Sequence, residues 1–142
     1  MKNTTVTFIG HKDCSEQIKE KVKEEVEKLI LNGYYNFLCG GVGRFDNICA
    51  KCVYELKKKY PYIKSNLVLP YYNFRIDFKD YYDEIILPSG AEKYYKSSIP
   101  RRNKYLVDNS SVAICFVKFV GNAKTTFEYA HKKNLKIINL AE

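Results

Sequence analysis

The sequence lacks the features that would place it in several common classes of protein. It contains no tryptophan, one methionine and only two histidines among its 142 residues. No apolar run approaches the ~18 residues that a membrane-spanning helix needs. No basic segment followed by an apolar segment opens the chain, which is the pattern of a secretory signal. We therefore expect a cytoplasmic protein with no membrane contact.

Cysteine is present, but its number and spacing argue against disulfide bonds and metal sites. The five cysteines are an odd number, and reducing cytosol disfavours structural disulfides. Cys49 and Cys52 form a CxxC, but zinc takes about four ligands, and the chain offers only His11 and His131 and no second CxxC. A redox CxxC needs its first thiol at a helix N-terminus, where glycines stand here. We expect no metal and no cofactor, and thiols that pack as small apolar groups.

Composition and charge indicate one globular domain with anionic partners. Hydrophobic residues make up 46% of the sequence, and the length suits a single domain over residues 1–142. The formal net charge is +8. An excess of this size favours phosphorylated ligands, nucleic acid or acidic protein surfaces.

Strand and helix patterns alternate from end to end. Strands are predicted at 4–10, 34–39, 63–70, 83–88, 111–119 and 135–140, and helices at 15–31, 45–59, 99–109 and 122–133. The run 111–119 is continuously apolar, which is typical of a strand buried on both faces. The alternation predicts an α/β fold with a doubly wound, mostly parallel sheet flanked by helices. Such folds bind ligands outside the carboxyl ends of the strands.

Glycines follow the second predicted strand, where a ligand could approach the backbone. Gly40, Gly41 and Gly43 permit a tight turn into the next helix, whose first N–H groups suit a phosphate. Asp46 could cap that helix or accept a hydrogen bond from a sugar hydroxyl. A plain strand-to-helix turn explains the same pattern, so both interpretations stay open.

Polar and basic residues mark two other strand ends. Gly10 and His11 end the first strand, where His11 either contacts a ligand or is a neutral part of the loop. Arg101 and Arg102 lie in the helix just before the fifth strand. Arginine binds phosphate in a bidentate manner that lysine cannot match, although a solvated basic face is the alternative.

The fifth strand leads into a second glycine turn. Gly121 permits the turn, and Asn122, Thr125 and Thr126 offer hydrogen bonds to a helix N-terminus or to a ligand. Glu128 falls in the first turns of the helix, where a carboxylate also compensates the helix dipole.

As a set, these segments resemble the SLOG superfamily, named for the DNA-processing protein DprA and the "Lonely Guy" enzymes. The single-domain YpsA-like branch is most similar. The similar segments, in order, are TFIGHKDC, FLCGGVGRFD, LVLPYYN, RRNKYLVDNSS and GNAKTTFEYAHKKNLKIINL. The resemblance implies a Rossmann-like fold whose pocket accepts nucleotides or nucleotide derivatives. It also implies that both glycine loops and Arg102 belong to that pocket.

The Lonely Guy enzymes release a base from a nucleoside monophosphate and carry the signature PGGxGTxxE with an upstream arginine. Gly121, Thr125 and Glu128 fall at this spacing, and Arg102 lies at the expected distance upstream. The proline and two of the glycines are replaced, by Val120, Asn122 and Lys124. The signature is therefore half matched, although Lys124 could restore some phosphate affinity through its charge.

We expect the chain to bind a nucleotide or nucleotide-derived ligand as a sensor or regulatory module, and to form a homodimer or higher homo-oligomer. One alternative is a nucleoside 5′-monophosphate phosphoribohydrolase, with Arg102 and Glu128 as its catalytic residues. A second is single-stranded nucleic-acid binding, supported mainly by net charge. The candidate ligand-binding residues are Gly10, His11, Gly40, Gly41, Gly43, Asp46, Arg101, Arg102, Gly121, Asn122, Lys124, Thr125 and Thr126.

Overall fold

Six parallel strands form one sheet in the computed structural model, which describes residues 1–141. The strands are β1 (Thr5–Gly10), β2 (Asn36–Cys39), β3 (Lys64–Val68), β4 (Glu84–Ile86), β5 (Val112–Phe116) and β6 (Lys136–Asn139). Their order is β4-β3-β2-β1-β5-β6, and every neighbouring pair is parallel. Successive strands run outward from β1 on one side and from β5 on the other. The junction of β1 and β5 is therefore the point where ligands bind in open α/β sheets.

Four helices cover the two faces of this sheet. They are α1 (Lys19–Leu31), α2 (Gly43–Leu56), α3 (Ser98–Asp108) and α4 (Asn122–Lys132). Helix α1 packs against α2, and α3 packs against α4. Helices α2 and α4 follow β2 and β5 along the chain, so both helices begin at the carboxyl edge of the sheet.

Alternate side chains of β5 enter different apolar clusters. Val112 and Ile114 pack with α1 and α2, whereas Ala113 and Cys115 pack with α3 and α4. All four side chains have no exposed surface. The prediction of a strand buried on both faces is therefore confirmed, as is the α/β fold, and the described sheet is entirely parallel.

Strand β5 is shorter than its apolar run, because the chain leaves the sheet after Phe116. The N–H of Val117 donates to the side-chain amide of Asn139, and the carbonyl of Val117 accepts from it, so Val117 makes no backbone bond of a strand ladder with this residue. The N–H of Lys118 donates to His11. These contacts end the strand and begin the loop that leads to α4.

The connection from β3 to α3 is long and contains little regular structure. Besides β4, it holds a single 3-10 turn, Lys79–Tyr81. Asp83 fastens the connection, because its Oδ2 accepts the N–H of Ser65 at 2.8 Å and its other oxygen pairs with Lys57. No helix among the described residues has the length and apolar character that crossing a bilayer requires.

Candidate functional site

A cavity of about 220 Å³ lies at the carboxyl end of β1, beside the junction with β5. Its walls come from the end of β1, from the N-terminal ends of α2 and α4 and from one face of α3. The lining residues are Phe8, Ile9, Gly10, His11, Lys12, Val42, Asp46, Ile99, Arg102, Asn103, Leu106, Asn122, Ala123 and Thr126. The site named by the topology rule is thus a real cavity, and six of the predicted residues line it: Gly10, His11, Asp46, Arg102, Asn122 and Thr126.

Two helix N-termini meet at this cavity. Val42 precedes the first residue of α2, and Asn122 and Ala123 are the first two residues of α4. The first N–H groups of a helix have no partner within the helix and carry partial positive charge. At α2, Asp46 accepts the N–H of Val42 and the carbonyl of Lys12 accepts the N–H of Arg44. The N-terminus of α4 is therefore the one that favours an anion.

Arg102 is the most firmly held charge in the wall, with only 3% of its surface exposed. Its Nη1 donates to the carbonyl of Gly40 at 2.7 Å and to that of Val68 at 2.9 Å. Its Nε donates to Oδ1 of Asn103 at 3.1 Å. Among the described residues, no hydrogen-bond acceptor is found for Nη2. Burial lowers the pKa of Arg102, although nearby Asp46 opposes this shift, and the guanidinium remains a cation at neutral pH.

Asp46 faces the same space from the start of α2. Its Oδ2 accepts the N–H of Val42 at 3.1 Å, so the carboxylate caps the helix. Burial raises the pKa of Asp46 to about 6, against the opposing effects of the Val42 N–H and Arg102. The sequence left open whether Asp46 caps the helix or accepts a hydrogen bond from a sugar hydroxyl. The bond to the N–H of Val42 is observed, and the side chain also borders the cavity, where a ligand hydroxyl could reach it.

Gly40 lies against both of these charged groups. A Cβ placed on Gly40 would lie 3.1 Å from Oδ2 of Asp46 and 3.3 Å from Cζ of Arg102. The absence of a side chain therefore allows Asp46 and Arg102 to approach the backbone of Gly40, which is buried and lies outside the cavity lining.

His11 holds the loop between β5 and α4. Its Nε2 accepts the N–H of Lys118 at 2.8 Å and lies 3.4 Å from the N of Phe119, whose ring stacks on the imidazole with centroids 3.8 Å apart. Nε2 must be unprotonated to accept these bonds, which places the proton of the neutral ring on Nδ1. Burial, with a smaller effect of Lys118, lowers the pKa of His11. His11 thus combines a structural role with a place in the cavity wall.

All three predicted loop glycines lie outside the cavity lining, and two of them serve the turn and its packing. Gly41 has φ +69°, and a Cβ there would lie 2.7 Å from Cδ1 of Leu67. Gly43 has φ +88°, and a Cβ there would lie 2.7 Å from the Cα of Lys12. Both therefore need glycine for backbone conformation and close packing. A direct approach of these glycines to a ligand stays a prediction.

In the second glycine loop, Asn122 and Thr126 line the cavity, whereas Gly121 and Thr125 lie outside the lining. Gly121 has φ +151°, and nothing lies near the position of an added Cβ. The hydroxyl of Thr125 donates to the carbonyl of Gly121, and that of Thr126 donates to the carbonyl of Asn122. Both hydroxyls are therefore used within α4, and neither caps the helix.

Three other predicted residues lie outside the lining of this cavity. Arg101 is exposed and borders a second cavity. The Nζ of Lys124 lies over the ring of Phe127, 5.7 Å from its centroid. Glu128 is exposed on α4. The carboxylate in the cavity wall is that of Asp46.

Sequence reasoning missed two polar residues of the wall. Lys12 directly follows His11, and its carbonyl accepts the N–H of Arg44 at 2.8 Å, which joins the β1 end to α2. Asn103 orients the Arg102 side chain. Each of them directly follows a predicted site residue, His11 or Arg102, and this adjacency is the feature of the sequence that could have identified them.

The CxxC thiols lie away from the cavity and inside the core. Cys49 and Cys52 have no exposed surface, and Cys52 lies 3.6 Å from the carbonyl of Lys19. Burial raises the pKa of Cys52 to about 12 and that of Cys49 well above its usual value. Within residues 1–141, no group of three or more histidine, cysteine, aspartate and glutamate side chains is arranged to hold a metal ion.

Several known proteins are similar to this chain. The uncharacterized SPbeta prophage-derived protein YoqJ of Bacillus subtilis (strain 168) is 29% identical over 69% of this chain and 70% of its own length. DprA from Streptococcus pneumoniae matches 96% of this chain at 17% identity with a TM-score of 0.71, and this chain spans only 50% of that protein. The Moco carrier protein from Chlamydomonas reinhardtii matches 98% of this chain at 18% identity with a TM-score of 0.63.

At these identities the two solved structures show a shared fold. The decisive match is with a family model, that of the YspA SLOG family, which covers residues 3–139. This range includes both glycine loops, Arg102 and every residue of the cavity wall. The chain belongs to the YspA SLOG family.

Proposed function

We propose that this protein binds a nucleotide or nucleotide-derived ligand in the cavity at the end of β1, as a sensor or regulatory module. One observation carries the proposal. A buried guanidinium, fixed through Nη1 and Nε, borders the cavity with Nη2 unused by the described protein atoms. Nη2 is not among the buried side-chain atoms that lack a partner, so it is open to the cavity and can donate to a group there. A ligand anion would supply the acceptor.

The surrounding groups favour a phosphate joined to a sugar. The N-terminal turn of α4 adds partial positive charge, and Lys12 adds a full charge in the wall. Asp46, by contrast, would repel a second anion and suits a hydroxyl donor. A phosphorylated ligand with hydroxyl groups, such as a nucleoside monophosphate, satisfies both requirements.

The alternative of phosphoribohydrolase activity draws no support from Glu128, because this side chain is exposed outside the cavity wall. Single-stranded nucleic-acid binding continues to rest on net charge. DNA processing protein A from Helicobacter pylori binds single-stranded DNA, but its 16% identity relates it to this chain by fold.

Isothermal titration calorimetry with AMP, GMP, CMP, UMP and ribose 5-phosphate tests the proposal. Gly40→Ala should weaken binding of the best ligand by about tenfold or more, because the methyl group would push against Asp46 and Arg102 and displace both from their places in the cavity wall. Lys12→Ala should weaken it by about three- to tenfold through loss of charge. Lys132→Ala, an equal charge change at the far end of α4, is the matched control and should have no effect.

Absence of binding for all five compounds to the folded wild type would contradict the proposal, as would equal losses in Lys12→Ala and Lys132→Ala. Chromatography of the same mixtures reports turnover. Free base released by wild type and lost in Glu128→Gln would show that the protein is a hydrolase.

A further inference from the structure

A second cavity, of about 240 Å³, lies at the carboxyl ends of β3 and β4. Its wall contains Leu69, Pro70, Pro88, Ala91 and Tyr105, together with the two arginines of α3. Arg102 borders both this cavity and the first one. Arg102 is therefore the residue that the two linings share.

The chemistry of the second cavity differs from that of the first. The first contains Asp46, two asparagines and a lysine in its wall, whereas the second has proline, leucine and tyrosine side chains and no carboxylate. The apolar part of this wall suits a flat ring, and its serines and arginines supply polar contacts at the ring edge. The arginines can also stack on the face of such a ring.

The wall is also preformed. The N–H of Ala91 donates to the carbonyl of Pro88 at 3.0 Å. Gly90, with φ +89°, occupies the third position of this turn, where a type II turn needs a left-handed residue. On the opposite side, the hydroxyl of Ser98 accepts the N–H of Tyr95 at 2.8 Å and fixes the start of α3.

Arg101 is placed to cover the mouth of this cavity. Its guanidinium carbon already lies 5.3 Å from the centroid of the Tyr95 ring. The arginine thus lies over one aromatic ring in the structure. Its exposure leaves it able to contact another ring that enters the cavity.

We propose that the second cavity receives the planar ring of the ligand whose phosphate is held in the first cavity, with the sugar crossing beside Arg102. The inference rests on the proposed function and adds the place where the planar base of that ligand lies. In this arrangement Arg102 contacts the phosphate side and the ring side of one molecule. The first cavity supplies charge recognition, and the second supplies apolar burial.

A comparison of a nucleotide with the same sugar phosphate lacking its base tests this arrangement. The probes are ribose 5-phosphate and whichever of AMP, GMP, CMP and UMP binds most tightly, measured by calorimetry. Wild type should prefer the nucleotide by about tenfold or more, as expected for one buried, stacked base. Ala91→Phe, which fills the second cavity, should abolish this preference and leave the affinity for ribose 5-phosphate within about twofold. Ala91→Ser, which keeps the cavity open, should retain the preference.

The outcomes separate this inference from the function on which it rests. Binding of ribose 5-phosphate by wild type without a preference for any nucleotide would overturn the inference alone. Equal weakening of both probes by Ala91→Phe, or no change in either, would also overturn it. If neither ribose 5-phosphate nor any nucleotide binds wild type, the proposed function fails and the inference fails with it. Retained binding of ribose 5-phosphate shows that the Ala91→Phe protein is folded.

Discussion

Replacing Asp46 by asparagine should stabilise the protein at neutral pH and have little effect in acid. Asparagine has nearly the same shape, and its carbonyl oxygen can still accept the N–H of Val42, which the carboxylate accepts at 3.1 Å. The replacement removes a negative charge that burial disfavours. The attraction between Asp46 and Arg102 only partly offsets this cost, because the pKa of the carboxyl is raised despite it.

The magnitude follows from the shift in the pKa of Asp46 from 3.8 to about 6. One pKa unit corresponds to about 1.4 kcal/mol, so the ionised carboxylate costs at most about 3 kcal/mol. Water in the open cavity screens the charge, so we expect a gain of about 1–2 kcal/mol in the free energy of unfolding of Asp46→Asn at neutral pH.

The pH dependence has a definite sign. Between pH 3.8 and about 6 the folded protein retains a proton on Asp46 that the unfolded chain has released. This contribution to stability is therefore fully present below pH 3.8 and is lost as the pH rises through about 6. The gain from Asp46→Asn should consequently grow with pH over this window and level off above it.

Urea unfolding of wild type and Asp46→Asn at four pH values from about 4.5 to about 7.5 measures this gain. Asp80→Asn, which removes an exposed carboxylate, is the matched control and should show no such growth. The reasoning would be refuted by a gain that is independent of pH or that shrinks as the pH rises. A loss of stability at pH 7.5 would mean that the attraction to Arg102 outweighs the cost of burial.

Two further predictions concern His11 and the CxxC thiols. Because the pKa of His11 in the folded protein lies below 6.5, the stability that neutral His11 contributes is present above pH 6.5 and is lost as the pH falls towards the folded-state pKa. The difference in the free energy of unfolding between wild type and His11→Ala, measured by urea unfolding, should therefore shrink between about pH 7.5 and about pH 5.5. A difference that stays constant would contradict the hydrogen bonds to Lys118 and Phe119. Cys49→Ala with Cys52→Ala should cost about 1–2 kcal/mol per site and leave nucleotide affinity unchanged, whereas stoichiometric zinc in wild type that is lost in the double variant, measured by elemental mass spectrometry, would overturn the packing role.

The fold was predictable because its signals are local. Apolar and polar residues recur along each segment with the period of a strand or a helix, and the continuous run around β5 indicated burial on both faces. The order of strands and helices then restricted the topology to a parallel sheet with a ligand cavity at its carboxyl edge. Boundaries were less predictable, since β5 ends where Asn139 and His11, distant in sequence, pair with the following backbone.

The amino-acid sequence by itself determined the fold class, the edge of the sheet where a ligand can bind, and the residue types that reach that edge. Only the tertiary structure decided their roles. Three neighbouring glycines look alike in sequence, but Gly40 lies against Asp46 and Arg102, whereas Gly41 and Gly43 pack against Leu67 and Lys12. The physical reason is that Arg102 and Gly40, 62 positions apart, meet only when α3 packs over the ends of β2 and β3. Local patterns carry no information about such a distant contact.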